Sequence, residues 1–146
     1  MAIKMSTGIR EGLAVTGSLR SLLTGSVIRV YSGAAPSDAD AALGAATLLC
    51  EISAGGVGVT FEASAPGGVL SKNAAENWGG TNAASGTASF FRMVLASDTG
   101  SSSASAIRMQ GTVAQISADL ELSNVNLVSG APLAINAANF TIPAQA

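Results

Sequence analysis

The chain has 146 residues, 48% of them hydrophobic, with seven basic side chains, nine acidic ones, a formal net charge of −2 and no histidine. That length suits one domain, and the weak charge gives no long-range field toward nucleic acid or an anionic membrane. The absence of histidine removes Ser-His-Asp and Cys-His constellations, histidine metal sites and the commonest general acid or base.

Charged residues make up 11% of the chain and aromatics 4%, so the core is expected to be aliphatic and much of the surface small and uncharged. Such a surface suits burial against neighbouring subunits. No apolar run is long enough to span a bilayer as a helix, and the first eleven residues do not read as a secretory signal. The single cysteine, Cys50, agrees with synthesis in a reducing cytoplasm and reads as a small core residue.

Residues 7 to 24 carry Ile9, Leu13, Val15, Leu19, Leu22 and Leu23 at helical spacing. Ser6 or Thr7 can cap the start and Gly25 the end, while Gly12 and Gly17 weaken the helix. The spacing predicts a helical arm over residues 1–25, followed by a β domain over 26–146. Two readings of the arm stay open: it covers one end of the core, or its apolar stripe docks on a partner.

The period then changes to two. Ser26 to Ser32 and Thr47 to Ala54 read as strands, separated by a loop that holds Pro36, Asp38 and Asp40. Val57 to Phe61 is expected to be a third strand after a Gly55-Gly56 turn. Val69 to Asn82 is a weak strand or long loop carrying Trp78, either a core plug or an interface anchor. Thr87 to Ser97 has apolar residues on both faces and is predicted to be a central strand covered on both sides. Ala106 to Ile116, the Leu120 to Leu127 segment and Leu133 to Ile142 supply the remaining strands. Short strands at intervals of roughly ten residues predict an all-β fold, an antiparallel β-sandwich or jelly-roll-like module with a short N-terminal helix.

Chemical motifs are sparse. Asp98-Thr99-Gly100 matches the core of an aspartic protease, which would need a second copy to supply the other carboxylate, but it reads better as a serine-rich turn. Gly55-Gly56-Val57-Gly58 is an incomplete phosphate loop with no helix after it. Asp38 and Asp40 lack the bidentate acid of a calcium loop, and Asn139-Phe140-Thr141 is a glycosylation pattern without a secretory signal. Arg29, Arg92 and Arg108 recur on strands and are expected to pair with Glu51, Glu62 or Glu121, or with acids of another subunit. The expected catalytic, metal and cofactor sets are therefore empty.

Several phrases of the sequence form a recognisable order. They are Val27 to Gly33, Gly68 to Asn73, Trp78-Gly79-Gly80-Thr81, Gly86 to Arg92, Ile107 to Val113 and Asp119 to Asn124. Together they resemble a family of small virion structural proteins of tailed bacteriophages and prophages, and the resemblance spans nearly the whole chain. It implies a non-enzymatic, β-rich particle protein made in the bacterial cytoplasm and resident in the virion. The implied partners are copies of itself and other virion proteins, either tail proteins or the major capsid protein, with a host surface glycan as an open further partner. A tail or tail-tip position is favoured, with a capsid decoration protein next. A carbohydrate-binding module is under-equipped with aromatic platforms. The expected interface residues are Ile9, Leu13, Leu19, Leu22, Leu23 and Trp78.

Overall fold

The computed structural model describes residues 3–142. They are mostly antiparallel β-structure with a short helical segment near the start. The strands are β1 (Lys4–Met5), β2 (Ser26–Ser32), β3 (Thr47–Ala54), β4 (Val69–Ser71), β5 (Trp78–Thr81) and β6 (Gly86–Thr87). After them come β7 (Phe90–Leu95), β8 (Arg108–Ala114), β9 (Leu120–Glu121), β10 (Asn126–Leu127), β11 (Pro132–Ile135) and β12 (Asn139–Thr141). The main sheet runs β1-β8-β7-β2-β3-β5-β11, and β9 joins β8 in parallel. Two ribbons, β4 with β12 and β6 with β10, complete the set.

As its two-sided apolar pattern predicts, β7 is central: it lies between β2 and β8, and Phe90 to Val94 are all buried. The register divides the sheet into two unlike faces. Ile28, Val30, Phe91, Met93 and Met109 share one face, opposite one another across β2, β7 and β8. That face joins the main hydrophobic cluster together with Ile9, Leu23, Phe61, Leu70, Trp78, Leu122 and Ile135. On the other face Arg29 stands opposite Arg92, and Arg92 opposite Gln110.

The helix expected over residues 7 to 24 is broken into three pieces. They are α1 (Thr7–Glu11), a π turn (Gly12–Thr16) and α2 (Leu19–Leu23). Ser6 caps α1 by accepting from the Ile9 amide, and Ser18 restarts the chain with a capping box to Ser21. The break falls at Gly17, where φ is −172° and an added Cβ would meet the Ser21 hydroxyl at 2.5 Å. A stripe continuous in sequence is therefore split in space. Ile9, Leu19 and Leu23 face the core, while Val15 turns out to solvent. The segment is fastened to the β-structure: β1 pairs with β8, and the Ser6 amide donates to the Arg108 carbonyl.

The strand expected at Val57 to Phe61 is instead three isolated bridges, to Ala54, Ser26 and Lys72. Gly58 passes so close to Gly25 that a Cβ would lie 2.2 Å from the Gly25 oxygen, and this contact leaves no room for a regular ladder. A bulge between Val30 and Tyr31 shifts the β2–β3 register, so that the adjacent Leu49 and Cys50 are both buried despite alternation. Trp78 is a core plug at 1% exposure, edge-on to Phe61 at 5.6 Å. Leu23→Ala should lower unfolding free energy by about 2–5 kcal/mol in urea titrations. A loss below about 1 kcal/mol would show that the helical segment contributes little to the core.

Candidate functional site

The polar face of the sheet is the chemically richest part of the molecule. Arg92 and Arg108 are 1% and 2% exposed, so each guanidinium must find its partners inside the protein. Arg108 grips the Asp98 carboxylate with two nitrogens, Nε to Oδ2 at 2.6 Å and Nη2 to Oδ1 at 3.1 Å. Its remaining donors reach the carbonyls of Ala39, Asp40 and Ser101. Arg92 donates to the Gln110 side chain and to the carbonyls of Asp38 and Ala41. The Gln110 amide donates in turn to the Pro36 carbonyl at 2.9 Å.

The loop of residues 33 to 46 is thus laid across the sheet and held by its own backbone carbonyls. Its acids serve neighbours. Asp40 accepts from the Thr7 amide and hydroxyl at the start of α1, and Asp38 accepts from the amides of Asp40 and Ala41. At the margin of the array Arg29 pairs with Glu51 at 2.8 Å, as the sequence predicts, and also donates to the carbonyls of Ala96 and Asp98. The other two arginines depart from expectation. Arg108 uses Asp98, which the motif had marked as a turn residue, and Arg92 forms no ion pair among the described residues. Its Nη1 is buried without a partner among the described residues.

Electrostatics follow from this arrangement. Burial opposes ionisation of Asp98, but hydrogen bonds from Arg108 and the Gly100 amide, with the charges of Arg108 and Arg29, hold its carboxyl below the usual range. Both carboxylate oxygens are engaged. Burial, reinforced by the nearby Arg108 charge, pushes the Arg92 guanidinium below its ordinary value. Glu76 sits in a separate knot. Burial works against its charge, yet the Thr60 hydroxyl and amide and the Trp78 indole outweigh it and hold the carboxyl low. These groups tie loops together. Among the described residues no group of three or more His, Cys, Asp or Glu side chains could hold a metal ion.

The apolar face offers a different kind of site. A recess of about 580 Å3 opens between residues 118–124 and 133–140, floored by Ile28, Phe91 and Met93 of β2 and β7. Its sides include Leu120, Leu133 and Phe140, each half-buried. Sequence reasoning missed this recess, because its walls come from strands and loops far apart in the chain and no local pattern marks them. The expected interface residues fall in three places. Ile9, Leu19, Leu23 and Trp78 are interior, Leu22 is half-buried against Gly12, and Leu13 lies on the surface beside the far more exposed Val15.

Comparison of the chain with protein-family models, curated proteins and solved structures gives no match in any of the three. No helix among the described residues is long and apolar enough to cross a membrane.

Asp98→Asn should cost about 3–5 kcal/mol at neutral pH, because it strands the buried Arg108 charge. The pH dependence has a definite sign. Carboxyls held low in the folded state stabilise it fully above their unfolded pKa and lose that contribution as pH falls through the folded value. Wild-type stability should therefore decline below about pH 4, and urea midpoints for the Asp98→Asn protein should fall less steeply over the same acid range. An identical acid slope in both proteins would remove Asp98 from this account.

Proposed function

We propose that this chain is a non-enzymatic structural subunit of a tailed-bacteriophage virion, assembling in multiple copies, most favourably in the tail or tail tip. The observation that carries the reading is the surface. Val15, Ile116, Val57, Val128 and Ile142 are 88, 77, 67, 61 and 58% exposed on a chain with only 16 charged residues of 146. A surface with few charges and these large apolar side chains exposed loses little polar hydration when other protein covers it, which supports the reading of a subunit packed among neighbours. The buried arginines and acids, by contrast, are occupied in holding loops, which is work that serves shape.

The sequence resemblance supplies the setting, and the accompanying fold reading is a β-sandwich of jelly-roll type. In it the main sheet forms one layer, and the ribbons β4–β12 and β6–β10 contribute to the other. In support, Leu70 and Leu127 of those ribbons belong to the same hydrophobic cluster as the main sheet. The aromatic residues weigh against sugar binding as the main task. Tyr31, Phe61, Trp78, Phe90 and Phe91 are buried and Phe140 is half-buried, so the surface offers a sugar ring little to stack on.

Immunogold labelling of purified particles with an antibody to this chain, read by electron microscopy, tests the proposal. Label on the tail is the expected result. Label over the head would move the subunit to capsid decoration. Absence of the chain from both intact and disrupted particles would overturn the structural reading.

A further inference from the structure

We infer that the polar face of the sheet binds one small monovalent anion, a halide of chloride or bromide size, on the buried guanidinium of Arg92. The inference is independent of the structural-subunit reading and concerns how the charge in the interior is answered.

The buried charges on this face do not balance among the described residues. Arg92 and Arg108 are both buried, and Asp98, whose side chain is 6% exposed, spends its two oxygens on Arg108 and the Gly100 amide. The other acids of this face are engaged elsewhere. Glu51 holds Arg29 at the margin, Asp40 accepts from Thr7, and the exposed Asp38 accepts from the amides of Asp40 and Ala41. Asp98 and Asp38 are near enough for their charges to be felt at Arg92, yet neither carboxylate bonds to it. Its neighbours in the ladder are Arg29 on one side and Gln110 on the other, so strand pairing supplies no acid.

The hydrogen bonds point the same way. Nε and Nη2 of Arg92 are engaged by the Gln110 side chain and by the carbonyls of Asp38 and Ala41, whereas Nη1 is sealed from solvent and has no partner among the described residues. A buried charged donor left unmet is costly. A water beside Nη1 accepts a hydrogen bond and leaves the charge unanswered. An anion answers both.

Enclosure sets the class of ion. The loop of residues 33 to 46 closes over the guanidinium through the Asp38 and Ala41 carbonyls, so the seat takes an ion stripped of its water. Chloride and bromide give up their hydration more readily than fluoride and are smaller than sulfate or phosphate, and the guanidinium is itself a weakly hydrated cation. The specific order is therefore the reverse of the general salt effect, in which sulfate stabilises most.

Urea unfolding of the full chain, with chloride or bromide replacing fluoride at constant ionic strength, tests this. A ligand bound only by the folded state shifts the equilibrium in proportion to its concentration above the dissociation constant. The folding constant should thus rise about tenfold for each tenfold increase in halide in that range. Arg92→Met should lose this dependence and keep the general salt effect. Crystals of the wild-type chain grown in bromide give a second reading that needs no variant to fold: an anomalous bromine peak is expected within hydrogen-bonding reach of Arg92 Nη1. A folding constant that follows ionic strength alone, a halide dependence that survives Arg92→Met, or a water or nothing beside Nη1 would each overturn the proposal. So would a bromine peak without any halide dependence in solution, which marks binding at crystal concentration only.

Discussion

Two guanidinium groups buried on one face of the sheet set the terms for everything that covers it. Arg92 and Arg108 together bring two positive charges into the interior, and Asp98 answers only one of them. The remaining hydrogen bonds go to the Gln110 side chain, to the Ser101 carbonyl and, in greatest number, to carbonyls of the loop of residues 33 to 46, which has no regular secondary structure of its own. The dependence runs both ways. Buried beneath the loop without its carbonyls, the guanidiniums would lack partners for several of their N–H groups, and burying an under-satisfied charge costs several kcal/mol. Without the arginines the Asp38, Ala39 and Ala41 carbonyls would lose the donors that hold them to the sheet. The same loop carries Asp40, which orders the start of α1, so a contact made at the centre of the sheet sets where the N-terminal segment begins.

This division of labour explains why the two faces differ. One face is polar and closed by loops through specific hydrogen bonds. The other is apolar and closed by side chains from the helical segment, from Phe61, Leu70 and Trp78, and from the segments after β8. A recess remains between residues 118–124 and 133–140, with Ile28, Phe91 and Met93 beneath it and still buried. A hydrogen-bonded cover is directional and admits one arrangement. An aliphatic cover is less particular, and a gap in it can be filled by whatever apolar group has the right shape.

Much of the fold was legible in the sequence because alternation reports burial on a pleated sheet. Ser26 to Ser32, Thr47 to Ala54 and the two-sided run around Phe90 to Leu95 all emerge as strands, and the overall antiparallel β character follows from them. Periodicity failed where backbone proximity governs. Gly58 follows Gly25, the bulge at Val30/Tyr31 buries Leu49 beside Cys50, and Gly17 ends a helical stripe that the spacing alone would continue. Arg29–Glu51 was readable because both residues lie on adjacent strands. Arg108–Asp98 was not, since a serine-rich turn residue gives no sign that it folds back beneath its own strand. The recess was hidden for the same reason: its parts meet only through topology.

The order of strands also governs when the molecule can exist. Lys4 and Met5 pair with Gln110 and Met109, and the strand that separates β2 from β8 begins at Phe90. During synthesis β1 therefore has no partner until Met109 and Gln110 have been made, more than a hundred residues later. Arg92 is made before Gln110, its neighbour in the sheet. β2 and β3 can pair early, but the main sheet cannot be completed until Arg108–Ala114 has been made. Until then the helical segment has no β8 edge to fasten to, and Ile9, Leu19 and Leu23 lack part of the cover that buries them in the finished fold.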